Sequence, residues 1–196
     1  MNIILASASP RRRELLERMG VKDFQIVVSD ADETLEVGLP PAAQVEQLSL
    51  RKAAAVAATV NDPDALIIAA DTVVALDGAI LGKPADRDDA FRMLSALSGA
   101  RHHVYTGVTV MRGSRVLTRH EATSVQFRPL TAEEISLYIA AGESMDKAGA
   151  YGIQGCGCLL VEGICGDYYN VMGLPIVRLA GMLKEFGVDC LRLCAQ

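Results

Sequence analysis

The order of residue types between positions 3 and 16 is the strongest constraint on what this chain can fold into. Ile3-Ile4-Leu5 is apolar, Ala6-Ser7-Ala8-Ser9-Pro10 is small and hydroxyl-bearing, and Arg11-Arg12-Arg13-Glu14-Leu15-Leu16 opens an amphipathic run. This order predicts a buried strand, a tight loop and a helix start. Ser9 suits the N-cap and Pro10 the first helical position, which leaves the backbone N–H groups of Arg11 and Arg12 pointing out of the helix without an internal partner. Those donors, the positive end of the helix dipole, two hydroxyls and up to three guanidinium groups then share one small volume, which suits an anion. The alternative is a set of solvated surface arginines, since the dipole favours acids in a first turn.

The 196 residues, 51% of them hydrophobic, suit one ordinary domain spanning 1–196, without a linker or repeat. A net charge of −5 argues against a nucleic-acid-coating surface and toward small anionic ligands. The single apolar tetrad near the start is neither a signal core nor a membrane span, so the expectation is a soluble cytoplasmic protein without a membrane partner. The five cysteines follow no regular spacing and read as reduced thiols. Cys156 and Cys158 are too close in sequence for the usual metal-ligand spacing, so with Cys165 they are expected to be buried small residues on a strand. His102, His103 and His120 lie in strand-like surroundings and are expected to be structural or surface residues.

Along the chain, Phe24 to Val28 predicts a second strand, and the acidic run Asp30, Asp32, Glu33 and Glu36 follows. For Glu33 a solvated loop and a metal or substrate role both remain open. Residues 42 to 60 predict an alanine-rich helix on which Lys52 rides, ordinarily as a surface charge. Leu66 to Ala70 read as a central strand buried on both faces, with Asp71 at the edge where α/β folds place ligands. Thr72 continues the strand, Asp77-Gly78 is a hairpin turn, and the returning strand brings Lys83 near the level of Asp71 or Thr72.

Asp86 caps the next helix, and strands follow at 102–111 and 115–127, the first interrupted at Thr106-Gly107. Thr131 and Glu134 form a capping box with Leu130 and Ile135 as its staple. Residues 144 to 157 are glycine-rich without a clear period, and Asp146, Lys147 and Gln154 within them favour a close approach of backbone to ligand over an ordinary loop. Leu159 to Val161 predict a short strand, and Pro175 starts the last helix. Gly78 to Lys83 is one residue short of a phosphate-binding P-loop, and the glycines at 152, 155 and 157 do not open a helix after a strand, so neither common nucleotide fold is signalled.

Five blocks, taken together, resemble the Maf proteins, nucleoside triphosphate pyrophosphatases also described as septum-formation inhibitors. They are Ser7 to Arg12, Ala70 to Val74, Gly82-Lys83-Pro84, Asp146 to Gly155, and Gly166 to Pro175. The resemblance runs from residue 3 to about residue 186 and implies an α/β fold like that of the inosine triphosphate pyrophosphatases (Maf/Ham1). That fold is a mixed elongated sheet flanked by helices, with two lobes around a cleft. It also implies hydrolysis of a nucleoside triphosphate to the monophosphate and pyrophosphate with a divalent cation, magnesium or manganese, and a homodimer. Asp71 becomes the proton acceptor, and Arg11, Thr72 and Gln154 the positions that separate substrate classes. All three agree with the subgroup acting on dTTP and UTP rather than the one acting on 7-methylguanosine triphosphate.

The chemistry is consistent with the residues. Cleavage between the α and β phosphorus atoms needs an activated water, neutralised phosphate oxygens and held reactants. Asp71 would take the water proton or hold the metal, with Glu33 as a metal ligand or supporting acid. Arg11, Arg12, Lys52 and Lys83, with Ser7 and Ser9, would bind phosphate, Asp146 and Lys147 would add loop contacts, and Gln154 would read a uracil or thymine edge. The alternatives are a nucleotide-binding regulator of cell division with incidental hydrolysis and a Maf enzyme acting on 7-methylguanosine triphosphate.

Overall fold

The computed structural model describes residues 1–195. In chain order, β1 (Ile3–Leu5) leads into α1 (Pro10–Arg18), β2 (Gln25–Ile26), α2 (Pro41–Thr59), β3 (Leu66–Leu76) and β4 (Ala79–Leu81). Then come α3 (Arg87–Leu97), β5 (Arg101–Arg112), β6 (Arg115–Phe127) and α4 (Ala132–Ala140). After two 3₁₀ turns, Ala148–Ala150 and Gly155–Leu159, the chain closes with β7 (Val161–Cys165), α5 (Tyr168–Met172), α6 (Ile176–Glu185) and α7 (Cys190–Cys194).

The strands form one mixed sheet of seven, ordered β2-β1-β3-β5-β6-β7 with β4 beside β3. β1 runs parallel to both β2 and β3, while β4 and β7 are antiparallel to β3 and β6. The mixed α/β architecture that the resemblance to Maf proteins implies is therefore present. Among the described residues no helix is long and apolar enough to cross a membrane.

Two compact units share the chain. The first comprises Met1–Asp71, Thr106–Glu121 and residues from Gly173 onward, and the second Thr72–Tyr105 and Ala122–Met172. In the first unit Ile4, Ala6, Ile67, Ala69 and Met111 pack against Ala53 and Val56 of α2. Small residues dominate this core, and they let α2 lie close to the sheet. Gly107 carries the idea further: a Cβ there would collide with the carbonyl of Val45 and the amide of Glu46. The expected interruption of the strand at Thr106-Gly107 is absent, since β5 runs straight through. The glycine serves the contact of helix backbone with strand backbone instead.

In the second unit Met93, Leu94 and Leu97 of α3 and Ile135, Tyr138 and Ile139 of α4 cover Val104, Val125 and Phe127. α4 begins with the expected capping box: Glu134 N–H donates to Thr131 Oγ1 at 3.2 Å and Thr131 N–H to Glu134 Oε2 at 2.8 Å. The β3–β4 hairpin turns at Asp77 and Gly78, both with positive φ (50° and 83°), as a tight primed turn requires.

Several expectations are corrected. The second strand is confined to Gln25–Ile26, because both residues are exposed at the sheet edge and gain no burial from a longer pairing. Leu159 ends a 3₁₀ turn, and the strand starts only at Val161, since Gly155 with φ 61° winds the preceding segment out of extended geometry. Cys156, Cys158 and Cys165 are exposed free thiols and not buried strand residues. The segment after Phe186 forms a further short helix, α7, capped by Asp189.

Candidate active site

The first unit builds its polar site from the loop between β1 and α1. Ser9 is the N-cap, and its Oγ accepts from Arg12 N–H at 3.5 Å, so the N–H of Arg12 has an internal partner, contrary to the expectation of an open donor. Ser7 Oγ accepts from Ser9 N–H at 3.2 Å and from Arg12 Nη1 at 3.3 Å. The Arg12 guanidinium also donates to two main-chain carbonyls, Ala70 through Nη1 at 2.8 Å and Gly173 through Nε at 2.9 Å. This fork ties α1 to the residue before Asp71. Removal from water holds the Arg12 pKa below its ordinary value against the opposing pull of the Asp71 carboxylate, and the group remains a cation.

Lys52 overturns its reading as a surface charge. It is buried on the inner face of α2, where its Nζ lies 2.6 Å from Asp71 Oδ1 and 2.9 Å from Glu33 Oε1. The side chains of Lys52 and Asp71 are only 10% and 12% exposed, whereas that of Glu33 is 58% exposed. A buried ammonium needs a carboxylate partner, and Lys52, which directly precedes Ala53 in α2, reaches the middle of β3 because the helix sits close to the sheet.

The acidic loop carrying Glu33 is itself fastened to α2. Gln44 exchanges hydrogen bonds with the backbone of Glu36, while Gln47 and Arg51 reach the Glu36 carboxylate and Arg51 also donates to Thr34 O at 3.2 Å. Positions 44, 47, 51 and 52 share one helical stripe, so one face of α2 holds both the loop and the Lys52 ammonium. Within the loop, Asp32 Oδ1 accepts from Thr34 N–H and Oγ1 and thereby fixes the turn at Glu33.

The second unit carries Thr72, Lys83, Asp146, Lys147 and Gln154. The β3–β4 register pairs Val74 with Leu81 and ends there, two residues before Lys83. Gly82 O accepts from Gly149 N–H at 3.0 Å, which ties this hairpin to the glycine-rich loop. Gly149 and Ala150 both have positive φ (68° and 60°), and a Cβ on Gly149 would press on Val74 at 3.1 Å. Left-handed geometry at a buried alanine costs on the order of 1 kcal/mol. Lys147 Nζ donates to Glu143 O at 2.5 Å and Asp146 Oδ1 at 2.6 Å. Gln154 is partly buried and immediately precedes the 3₁₀ turn at Gly155.

Beneath the loop His102 Nε2 meets Tyr151 Oη at 2.7 Å, with Phe127 edge-on to both rings. Burial lowers the His102 pKa to about 4, so the imidazole is neutral at physiological pH. Buried Asn170 donates to Val104 O at 2.9 Å and Thr123 Oγ1 at 3.0 Å, while Thr123 also bonds the backbone of Asp167. The polar block at 166–170 thus anchors a turn, a role that one sequence without periodicity does not signal.

Residues 2–186 match the family described as Maf-like protein. The chain belongs to the Maf family. Across 190 residues it is 55% identical to a dTTP/UTP pyrophosphatase of Moorella thermoacetica, covering 95% of this chain and 96% of the relative. A dTTP/UTP pyrophosphatase of Symbiobacterium thermophilum is 52% identical over 94% of both chains. Among solved structures, a HAM1 protein from Coxiella burnetii superposes with a TM-score of 0.50 at 14% identity, covering 94% of this chain and 99% of that one, and so shares the fold.

In this Maf chain the residues singled out from sequence fall into two groups. Ser7, Ser9, Arg11, Arg12, Glu33, Lys52 and Asp71 belong to the first unit, and Thr72, Lys83, Asp146, Lys147 and Gln154 to the second. Arg11 lies in the first turn of α1, partly buried. Glu33 and Asp71 each set one carboxylate oxygen against the Lys52 ammonium, and carboxylate oxygens are the donors that hard divalent cations accept. Among the described residues no group of three or more His, Cys, Asp and Glu side chains is arranged to hold a metal.

Proposed function

We propose that this chain hydrolyses dTTP and UTP, and modified pyrimidine nucleotides with them, to the nucleoside monophosphate and pyrophosphate. In this reading it clears unwanted nucleotides from the cytoplasmic pool and has a connection to septum formation. The observation that carries the reading is the match, over nearly the whole chain, to relatives named dTTP/UTP pyrophosphatase. The buried Lys52–Asp71 pair supports it, because a carboxylate beside a phosphate site needs a charge partner and a chemical task.

Asp71 takes the proton of the attacking water on Oδ2, while Lys52 on Oδ1 fixes the carboxylate rotamer. As phosphate enters, the Lys52 ammonium has anionic oxygens to meet besides Glu33 and Asp71, and Arg11 adds a further cation. Ser7 and Ser9 shape the helix end toward phosphate, and the Arg12 fork keeps that end fixed against Ala70 and Gly173. Lys83 and Lys147 add cations for phosphate, and Thr72 and Gln154 sort the base, with the Gln154 amide offering both donor and acceptor to a uracil or thymine edge. Glu33 and Asp71 would hold magnesium or manganese, which when bound acidifies water and offsets phosphate charge.

The test is pyrophosphate release by purified protein from dTTP, UTP, dCTP and 7-methylguanosine triphosphate, each with magnesium or manganese. Fastest release from dTTP or UTP is expected. Absence of release from any pyrimidine triphosphate contradicts the proposal, and tight nucleotide binding without turnover favours a regulator.

A further inference from the structure

Gln154 sits on a segment whose own glycines give it no rigidity, so something outside that segment must hold its backbone. Two side chains from α4 and the turn after it do so. On the N-terminal side of Gln154, Gly152 N–H donates to Tyr138 Oη at 3.2 Å. On the C-terminal side, Cys156 N–H donates to Glu143 Oε1 at 3.1 Å. The Glu143 main-chain carbonyl also accepts from Lys147 Nζ at 2.5 Å, so one residue grips both ends of the 147–156 stretch.

Gly155 shows how closely the carboxylate is seated. A Cβ there would stand 2.6 and 2.7 Å from the two Glu143 oxygens, and its φ of 61° already disfavours any side chain. The Cys156 thiol is drawn to the same carboxylate, whose negative charge is the main cause of its raised pKa. Glu143 is only partly exposed, and each of its bonds runs to this loop.

We propose that Glu143 is a positioning residue for substrate selection: its carboxylate clamps the Gly155-Cys156 backbone and thereby sets the direction of the Gln154 amide. The inference rests on the reading of Gln154 as the group that meets the base edge. A glutamine amide distinguishes uracil or thymine from cytosine only by which of its atoms faces the ring, because the edges differ in donor and acceptor order. An unclamped loop lets the amide turn, and discrimination falls although every phosphate contact survives.

The experiment compares kcat/KM for dTTP and dCTP in Glu143→Ala, Glu143→Gln and Gln154→Ala, with thermal melts as a folding control. Glu143→Ala is expected to reduce the dTTP to dCTP ratio about tenfold, through a raised KM for dTTP, as expected for loss of one directed hydrogen bond to substrate. Glu143→Gln keeps an oxygen for the Cys156 amide and is expected to hold the ratio within about twofold. If Gln154→Ala collapses the ratio while folded Glu143→Ala leaves it unchanged, the clamp is overturned and the reading of Gln154 stands. An unchanged ratio in Gln154→Ala overturns both. If Glu143→Ala does not fold, a Glu143→Gln protein that folds but has lost the ratio equally contradicts the clamp, since that variant preserves the acceptor.

Discussion

Lys52 Nζ stands 2.6 Å from Asp71 Oδ1, in a pair that joins α2 to the middle of β3 and is almost closed to solvent. An ammonium in such a place persists only because carboxylates flank it, with Glu33 as the second at 2.9 Å. The pair couples stability to function, since the carboxylate assigned to proton transfer is the same one that keeps Lys52 buried.

Removing the ammonium therefore has two effects. Lys52→Ala leaves Asp71 without its near cation and is expected to cost about 3 kcal/mol in stability. It also slows turnover of a triphosphate by at least about tenfold through loss of phosphate neutralisation. Urea denaturation and steady-state kinetics on the same protein check both. Lys52→Ala with unchanged stability would mean that the pair is neutral in the fold.

The seating of α2 can be tested apart from any charge. Gly107→Ala places a Cβ against the Val45 carbonyl, so α2 must shift from β5 or the strand must bend, and a loss of about 1–3 kcal/mol is expected. Ser49 Oγ and Thr109 Oγ1, 2.9 Å apart and buried, mark the same contact one turn along the helix. A melting temperature equal to the parent's would contradict this account of the glycine.

His102 makes a prediction about acid. Its pKa is about 4 in the folded chain, below the ordinary 6.5, because burial disfavours the imidazolium. Between pH 6.5 and 4 the unfolded chain binds a proton that the folded chain does not, so stability is full above 6.5 and declines as pH falls through that window. The contribution is on the order of 3 kcal/mol. Chemical denaturation from pH 7 to 4 is expected to show a shallower decline in His102→Gln than in the parent, and parallel curves would exclude the histidine as the cause.

Much of the fold was legible in the sequence, for reasons particular residues make plain. The Thr131–Glu134 capping box, the Asp77-Gly78 turn and the Leu66 to Ala70 apolar run are local signals, each decided within a few residues, and each appears where expected. The residue patterns themselves singled out most candidate site positions, and the resemblance to Maf proteins supplied the roles of Asp71, Arg11, Thr72 and Gln154. The depth of Lys52 was hidden because a lysine on an alanine-rich helix looks the same in sequence whether its face is wet or dry. The close seating of α2 at Gly107, 55 positions away, is a backbone contact that no local pattern encodes. Glu143 and Asn170 escaped for the same reason, since their partners lie on other elements.

Asp71 is the group assigned to take the water proton, and Asp71→Asn tests that role most directly. The amide keeps an oxygen for Lys52 but cannot accept that proton at neutral pH. Pyrophosphate release from dTTP, measured beside nucleotide affinity in the absence of turnover, is expected to fall by about 10²–10⁴-fold with affinity retained. An Asp71→Asn protein that binds dTTP and turns it over at the parent rate would contradict the central claim.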